Sequence, residues 1–364
     1  MRLLYISDDF TPGSGVAIKV LAKTRIWEQL GHDVWLISAR TPVPRRIAEV
    51  ERIVGAREDR RSLPRRVLGE LSVRRGAAAA LWAAAARVGA DAIYSRELPP
   101  GLLLRGPFFR SRPLVLEVNS DSVLEMDAGS LRRWRSARAR AAQLRDARGV
   151  VFVSHELKVR LGAGVAHSVV LANGCASHPA LPRRRPARPT LVLVGSARQP
   201  WTGFDRFAEL ARRLPELDFV TVGQDPSRLP DLPNLESHPR VGQAEVDRIL
   251  AGCTVGMGPL ALDRKQMREA SPLKTRNYLA MGLPVIQSYQ DTDLDEDSGC
   301  VLQLPPAFPF SEHDLERLRE FARRARHDDR MSERALSLAR GPLSVEAKER
   351  QRLSFIESLV RTSR

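Results

Sequence analysis

Short runs of apolar residues alternate along the chain with stretches that are long enough for a helix. The run RLLYIS at residues 2–7 is followed by helical periodicity from Val16 to Leu30, and DVWLIS at residues 33–38 is a second apolar run. Further runs lie at residues 92–95, 114–118, 150–154 and 168–172. Continuous apolar strands that alternate with helices predict a parallel sheet covered on both faces.

The same alternation restarts near residue 190. Between the two halves, residues 175–189 contain four prolines and four arginines without apolar periodicity, which is typical of a linker. We therefore predict two doubly wound α/β domains, with the carboxyl ends of their strands facing a shared cleft where such folds bind ligands. In the second domain we expect strands at 190–195, 218–223, 253–258 and 283–288, and helices at 204–214, 245–251 and 273–281.

Composition and charge narrow the class of protein. The chain has 364 residues, of which 43% are hydrophobic, and this excludes a small module or a disordered chain. The net charge is +15, of which residues 1–174 carry +12, with 29 basic and 17 acidic residues. Such a basic half is either a solvated surface or a surface that attracts an anionic membrane or an acidic substrate.

Cysteine usage and hydropathy bear on the compartment. The three cysteines are odd in number and far apart, so they predict neither a disulfide framework nor a zinc site, and we expect the reducing cytoplasm. No run reaches the 18 apolar residues of a membrane span. The opening residues, MRLLYISDDF, are interpreted as a strand that runs into acidic residues rather than as a signal peptide.

A glycine-containing turn follows the first strand. In the segment DDFTPGSG at residues 8–15, Gly13, Ser14 and Gly15 lead into a helix. Glycines let the backbone approach a ligand, and the free N–H groups of a helix start favour an anion. The turn is a candidate phosphate or sugar loop, although a purely structural turn explains the same residues.

A second turn and the helix after it, at residues 269–284 (EASPLKTRNYLAMGLP), contain more candidate functional groups. Ser271 followed by Pro272 resembles an N-cap with proline at the first helical position, which would leave the N–H groups of Leu273 and Lys274 unpaired. A diphosphate suits these groups, because the helix dipole and the Lys274 ammonium add positive charge. The alternative is a capped helix preceded by an exposed Glu269.

These segments together resemble retaining glycosyltransferases of the GT-B fold, in glycosyltransferase family 4. The likeness covers nearly the whole chain and rests on MRLLYISDDFTPGSG, LGHDVWLIS, FVSHELKVRL, VLANGCA, LVLVGSARQPWTGFDRFAELARRLP and EASPLKTRNYLAMGLPVI. It implies an acceptor-side domain at residues 1–174, the linker at 175–189 and a nucleotide-sugar domain at 190–342. It also implies that a C-terminal helix at 343–364 crosses back to the first domain.

The resemblance also implies roles for individual residues. Glu269 matches the first glutamate of the family's E-x7-E motif, which lies against the donor sugar, and Asn277 stands where the second glutamate usually bonds the ribose. A second departure is that Ser196 and Thr202 replace an arginine and a lysine, for which Arg198 and Lys274 are expected to compensate. The implied catalytic residues are Glu269, Lys274 and Arg198, and the implied donor-binding residues are Ser196, Ser271, Pro272, Leu273, Asn277 and Gly223.

The expected activity is transfer of a sugar, with retention, from a nucleoside-diphosphate sugar to a glycan or lipid-linked acceptor, without a metal or other cofactor. Charge-assisted stabilisation of the departing diphosphate suffices for such chemistry. Two rivals remain. One is a non-catalytic binding or assembly subunit with a degenerate donor site, and the other is a nucleotide-sugar epimerase, for which the acid–base residues are not evident.

Weaker signals concern the acceptor, a metal and the membrane. Asn119 and Ser120 follow an apolar run and are either acceptor-side residues or a plain loop. The acidic run at residues 291–297 contains D-x-D steps, but we interpret it as a solvated loop and expect no metal. Basic stretches at residues 57–75 and 132–148 suggest a peripheral contact with the inner membrane face or a solvated helix, and they lack the aromatic platform of a nucleic-acid site.

Overall fold

The computed structural model describes residues 1–7, 15–38, 44–50, 83, 85–98, 112–126, 129–177 and 185–362. Its contacts divide the chain into two compact units. The first unit comprises Met1–Leu171 together with Glu349–Arg364, and the second comprises Ala172–Lys348. Most of the candidate loop at residues 8–15 and all of the basic stretch at residues 57–75 lie outside the described residues.

The first unit contains one sheet of six parallel strands in the order β2-β1-β3-β4-β5-β6. Strands β1, β3, β4 and β5 are buried along almost their whole length, which is why they are continuous apolar runs in the sequence. The strands are β1 (Arg2–Ser7), β2 (Asp33–Ser38), β3 (Ala92–Arg96), β4 (Leu114–Val118), β5 (Gly149–Phe152) and β6 (Ser168–Val170). The helices include α1 (Gly15–Gln29), α2 (Ser130–Asp146) and α3 (His155–Leu161).

The second unit has a six-stranded parallel sheet in the order β14-β12-β10-β7-β8-β9, with a separate two-stranded pair of β11 and β13. The strand order reverses between β7 and β10, which is the topological switch point of a doubly wound sheet. Its strands are β7 (Thr190–Val194), β8 (Asp218–Val222), β9 (Leu235–His238), β10 (Val255–Met257), β11 (Glu269–Ala270), β12 (Val285–Gln287), β13 (Gln290–Asp291) and β14 (Val301–Gln303). Its helices are α4 (Phe204–Arg213), α5 (Gln243–Ala251), α6 (Leu273–Ala280), α7 (Glu312–His327) and α8 (Asp329–Arg340).

The last helix, α9 (Val345–Arg361), begins in the second unit and continues into the first. Its apolar stripe of Leu353, Ile356 and Leu359 is buried in the core of the first unit. The helix lies directly on β5, because a Cβ atom built on Gly149 would come within 2.5 Å of the Leu359 side chain. The expected return of the C-terminal helix to the first domain is therefore confirmed.

A buried ionic cluster lies beside β4 in the first unit. The Glu117 carboxylate accepts hydrogen bonds from Lys23 Nζ at 2.7 Å and from Lys19 Nζ at 2.9 Å. Burial alone would raise the pKa of Glu117, but the two ammonium groups hold that pKa well below its usual range. Burial and the nearby Arg352 guanidinium lower the pKa of Lys23 to about 7. The sequence analysis did not predict these ion pairs, because Lys19 and Lys23 are about 100 residues away from Glu117 in the chain.

Helix α9 supplies the remaining members of this ionic cluster. Arg352 donates from Nε to Glu349 at 2.9 Å and from a terminal nitrogen to the Tyr94 hydroxyl at 2.8 Å. Glu349 also accepts the indole N–H of Trp27 at 2.9 Å. Each buried charge of the helix thus has a charged or hydrogen-bonding partner, as burial of charge requires.

One expectation about the segment around residue 175 was wrong. Cys175, which the sequence assigned to the linker, is 3% exposed and lies in the apolar core of the second unit. Its backbone N–H donates to the Leu343 carbonyl at 2.6 Å, and its own carbonyl accepts from Val345 at 3.0 Å. The three cysteines are free thiols, as expected from their number and spacing.

Candidate functional site

The carboxyl ends of β7 and β8 meet in an unusually close backbone contact. Gly223 has φ +104°, and a Cβ atom at that position would lie 2.2 Å from the Gly195 carbonyl oxygen. Only glycine fits this conformation and this spacing. The contact brings the loop after β7, which carries Ser196 and Arg198, beside the end of β8.

Residues of the loop after β7 differ in exposure. Thr202 is 4% exposed, and its methyl group would be 2.3 Å from a Cβ atom on Gly195, so it fills core space rather than facing a ligand. Ser196 is half-buried and its hydroxyl accepts the N–H of Arg198 at 3.3 Å. The Arg198 side chain is exposed. Of Ser196 and Thr202, the two residues that the sequence analysis compared with an arginine and a lysine, Thr202 therefore has a structural role.

Tyr278 fixes helix α6 on the sheet. Its ring packs against Gly256 of β10, where a Cβ atom would come within 2.3 Å of the ring, and its hydroxyl accepts the N–H of Val194 at 2.7 Å. One turn earlier, Thr275 shares a hydrogen bond of 2.8 Å with the Tyr289 hydroxyl. These contacts direct the amino end of α6 to the carboxyl edge of the sheet, at the switch point.

The amino end of α6 has free backbone donors. The helix begins at Leu273 with Pro272 at the N-cap, and no side chain caps it. The first backbone bond of the helix is donated by Arg276 to the Pro272 carbonyl at 3.3 Å, so the N–H groups of Leu273, Lys274 and Thr275 have no partner within the helix. The prediction that Ser271 is the N-cap was wrong, but the unpaired amide groups that it implied are present.

Ser271 faces the segment that follows the first unit instead. Its Oγ accepts the backbone N–H of Asn173 at 2.9 Å and a terminal N–H of Arg276 at 2.9 Å. Its carbonyl accepts the Asn173 side-chain amide at 2.5 Å, and the Asn173 carbonyl accepts Arg276 Nε at 2.9 Å. This closed set of bonds explains why Ser271 does not cap α6, since its acceptor sites are already occupied.

A buried ion pair lies directly behind this turn. Arg276 is fully buried and donates to both oxygens of Asp291, at 2.7 and 3.0 Å. Asp293 lies 3.5 Å from the same guanidinium and accepts from Lys348 Nζ at 2.9 Å. Burial raises the pKa of Asp291, and the Arg276 charge opposes that rise. The expectation that residues 291–297 form a solvated acidic loop was therefore wrong for Asp291, because a buried cation pairs with it.

Glu269 and Asn277 flank the turn before α6. Glu269 begins β11, which pairs in parallel with β13, and it is 5% exposed. Asn277 is half-buried on α6, and its side-chain amide makes no hydrogen bond within the described part of the chain. The alternative of an exposed glutamate ahead of the helix is contradicted by the burial of Glu269.

Lys274 adds a positive charge to the amino end of α6. Its side chain is half-buried, and burial lowers its pKa below the ordinary value of a lysine. The charge of Arg240 lowers this pKa further, whereas Asp247 opposes the change. Lys274, with Arg240 near enough to affect its pKa, therefore adds positive charge at the helix end that has the free amide groups, which suits an anionic ligand.

The acceptor-side candidates lie in the first unit. Asn119 follows β4 and its Oδ1 accepts Lys19 Nζ at 2.6 Å, while Ser120 is half-buried next to it. Gly15 begins α1, whereas Gly13 and Ser14 lie outside the described residues. Asn119 thus belongs to the ionic cluster around Glu117, a link that sequence spacing did not predict.

A metal site and a membrane-spanning helix were also sought among the described residues. Among them, no group of three or more histidine, cysteine or acidic side chains is arranged to hold a metal ion. Within the same residues, none of the helices combines the length and the apolar character that crossing a bilayer requires.

Solved structures with a similar fold are numerous. Sucrose-phosphate synthase from Thermosynechococcus elongatus has a TM-score of 0.67 at 14% identity, with 100% of both chains covered. HepE from Anabaena in complex with UDP has a TM-score of 0.64 at 13% identity, over 98% of this chain and 100% of that chain. WaaG, a glycosyltransferase involved in lipopolysaccharide biosynthesis, has a TM-score of 0.59 at 14% identity, over 98% and 99% of the two chains.

No protein-family model matches the chain, and neither does any curated protein. The structural neighbours define the fold: two doubly wound parallel-sheet domains of the GT-B type, as the sequence predicted.

Sequence reasoning missed Asn173 and Arg276. Arg276 stands on α6 between the polar residues Thr275 and Asn277, so it resembled a solvent-facing charge. Its partners are 15 and 17 residues further along the chain, in the acidic run. A basic residue on the core-facing side of a helix, followed by an unexplained cluster of acids, is the signal that would have identified the pair.

We expect anion binding to weaken as the pH rises, because Lys274 loses its proton. This loss should occur at a lower pH than for a free lysine. The physical reason is that the lowered pKa removes the ammonium charge earlier, while a diphosphate stays ionised. Isothermal titration of UDP across alkaline pH measures this. Lys274→Arg should flatten the profile because arginine stays charged. An unchanged alkaline loss in Lys274→Met would contradict the assignment.

Proposed function

We propose that this protein is a retaining glycosyltransferase that uses a nucleoside-diphosphate sugar. The observation that carries the proposal is the amino end of α6, where the N–H groups of Leu273, Lys274 and Thr275 have no partner among the described residues and the buried Glu269 lies just before the turn. Free amides at the start of a helix bind phosphate oxygens, and the switch point of a doubly wound sheet is where such folds hold nucleotides. The GT-B fold of the chain agrees with this use of the site.

In the proposed reaction, the amides of Leu273 and Lys274 and the Lys274 ammonium stabilise the departing diphosphate. Preorganised donors of this kind act most strongly on the charge that develops in the transition state. Glu269 lies against the donor sugar and stabilises its developing positive charge. Arg198, exposed on the loop after β7, supplies a further cation, and the reaction proceeds without a metal or other cofactor.

Membership of glycosyltransferase family 4 and retention of configuration are part of the proposal. They rest on Glu269 and on the eight-residue step from it to Asn277, where the family has its second glutamate. An amide at Asn277 still hydrogen-bonds a ribose hydroxyl, but it makes a weaker bond than a carboxylate does. Ser196 and Gly223, at the ends of β7 and β8, border the nucleotide.

The base of the donor is proposed to be uracil. The support is that HepE, a structural neighbour, was solved in complexes with UDP and with UDP-glucose. The acceptor is a glycan or a lipid-linked saccharide that the first unit binds, with the turn at residues 13–15, Asn119 and Ser120 as the contacting residues. WaaG, another neighbour, is involved in lipopolysaccharide biosynthesis, which agrees with a cell-envelope or exopolysaccharide acceptor.

We expect the first unit to contact the inner face of an anionic membrane through α2, as a peripheral cytoplasmic protein would. Leu131 and Trp134 are 68% and 56% exposed, and Arg138 stacks 5.0 Å from the Trp134 ring. Apolar residues among arginines are typical of a helix that lies in a lipid interface.

Flotation with vesicles tests this contact. Vesicles containing phosphatidylglycerol should carry the protein, and Trp134→Ala should reduce the bound fraction several-fold. Val159→Ala, at another exposed apolar residue of the same unit, is the matched control and should change nothing. Equal binding to neutral phosphatidylcholine, or an unchanged Trp134→Ala, would contradict the membrane contact.

The central test of the proposed activity is Glu269→Gln. We expect release of UDP from UDP-sugars to fall by a factor on the order of 10² to 10³, because one preorganised electrostatic contact is lost. The melting temperature and the affinity for UDP should stay close to those of the unchanged protein. Glu209→Gln, on the exposed face of α4, is the control.

Two outcomes of this assay decide between the candidates. Unchanged turnover in Glu269→Gln would remove the central assignment. A wild-type protein that binds UDP but neither hydrolyses nor transfers any of the UDP-, GDP- or ADP-sugars would favour the rival function, a binding or assembly subunit. The buried Thr202 and the amide of Asn277 are the features that favour that rival.

A further inference from the structure

The hydroxyl group of Ser271 has an unused proton. Its oxygen accepts two hydrogen bonds, from the Asn173 backbone N–H and from Arg276, both at 2.9 Å. The residue is 5% exposed, and within the described part of the chain this hydroxyl donates no hydrogen bond. A serine oxygen has two acceptor sites and one proton, so both acceptor sites are occupied and the proton remains.

The two donors fix what this hydroxyl can bind. A serine hydroxyl usually rotates to donate or accept as its neighbours require, but here both lone pairs are held by groups that can only donate. The group can therefore only donate to a ligand. A nearly buried donor without a partner is unfavourable, and an anionic oxygen is the acceptor that satisfies it most strongly.

We propose that Ser271 Oγ–H donates to a phosphoryl oxygen of the nucleoside diphosphate, and that Asn173 and Arg276 are positioning residues that preset its direction. The inference rests on the proposed function and names a side-chain contact within the same site. Ser271 lies two residues before the free N–H of Leu273 and three before Lys274, so the hydroxyl belongs to the same anion-binding turn.

Arg276 acts through Ser271 and does not itself bind the phosphate. Its side chain has no exposed surface, and its charge is matched by Asp291, which accepts two of its hydrogen bonds. Asp293 is in turn paired with Lys348 at 2.9 Å. With two cations and two carboxylates, this group is neutral as a whole, so the positive charge that attracts the ligand comes from Lys274 and the helix amides.

The experiment compares a diphosphate with its nucleoside. UDP and uridine are titrated calorimetrically into wild-type protein and Ser271→Ala, with GDP and guanosine, and ADP and adenosine, measured in parallel. Loss of a charge-assisted hydrogen bond should weaken UDP binding by roughly tenfold to a hundredfold, while uridine binding stays unchanged. Ser271→Thr keeps the hydroxyl and should retain most of the affinity for UDP.

Variants of the positioning residue separate this role from a general effect on folding. Arg276→Lys keeps the charge, but its three donors cannot replace the four hydrogen bonds that Arg276 makes to Ser271, Asp291 and Asn173, so it should raise the KM for the UDP-sugar more than it lowers kcat. Arg352→Lys is the control, since Arg352 is also buried and paired with a carboxylate, but in the first unit. It should lower the melting temperature and leave the affinity for UDP unchanged.

Three results would overturn the inference. Ser271→Ala that binds UDP as tightly as the wild type would show that the hydroxyl does not contact the phosphate, while the proposed function would stand. An equal loss of UDP and uridine binding in Ser271→Ala would show a general disturbance of the turn. A wild-type protein that binds none of the three diphosphates would overturn both this inference and the proposed function.

Discussion

The buried ion pair between Arg276 and Asp291 is the interaction on which the proposed donor site depends. It joins helix α6 to β13, and through Ser271 it also joins the turn before the helix to Asn173. Removing one member of a buried pair leaves an uncompensated charge, at a cost of about 3–5 kcal/mol. The free amides of α6 therefore keep their direction without a ligand, which is the condition for electrostatic stabilisation of a leaving diphosphate.

Both units use buried charges in the same way, at the places where chain segments distant in sequence meet. In the first unit, Glu117 is held by Lys19 and Lys23, and helix α9 brings Glu349 and Arg352 into the same core. Such pairs contribute little net stability compared with apolar packing of equal volume, but they are costly to break. Any other arrangement of these segments would leave a buried charge unpaired and would raise the free energy. The polar groups at the carboxyl edge of each sheet therefore stay in defined positions.

Hydrophobic periodicity was sufficient to predict two doubly wound domains, because most strands of the two sheets are buried and are continuous apolar runs. The limits of β4 and the start of α6 follow directly from this pattern. Periodicity could not reveal how charges pair. Asp291 resembled the rest of an exposed acidic run, and its burial follows only from Arg276, which the fold brings to it. The prediction that Ser271 caps α6 was wrong for a related reason. The hydroxyl oxygen of Ser271 already accepts hydrogen bonds from Asn173, which is distant in sequence, and from Arg276 in the following turn.

The amino end of α6 is the proposed diphosphate site. A crystal structure of the protein with UDP tests this most directly. We expect phosphoryl oxygens within hydrogen-bond distance, about 2.7–3.2 Å, of the N–H groups of Leu273 and Lys274. We also expect Arg276 to remain paired with Asp291 when UDP is bound. A diphosphate bound elsewhere in the second unit, with these amide groups still facing water, would contradict the proposed site.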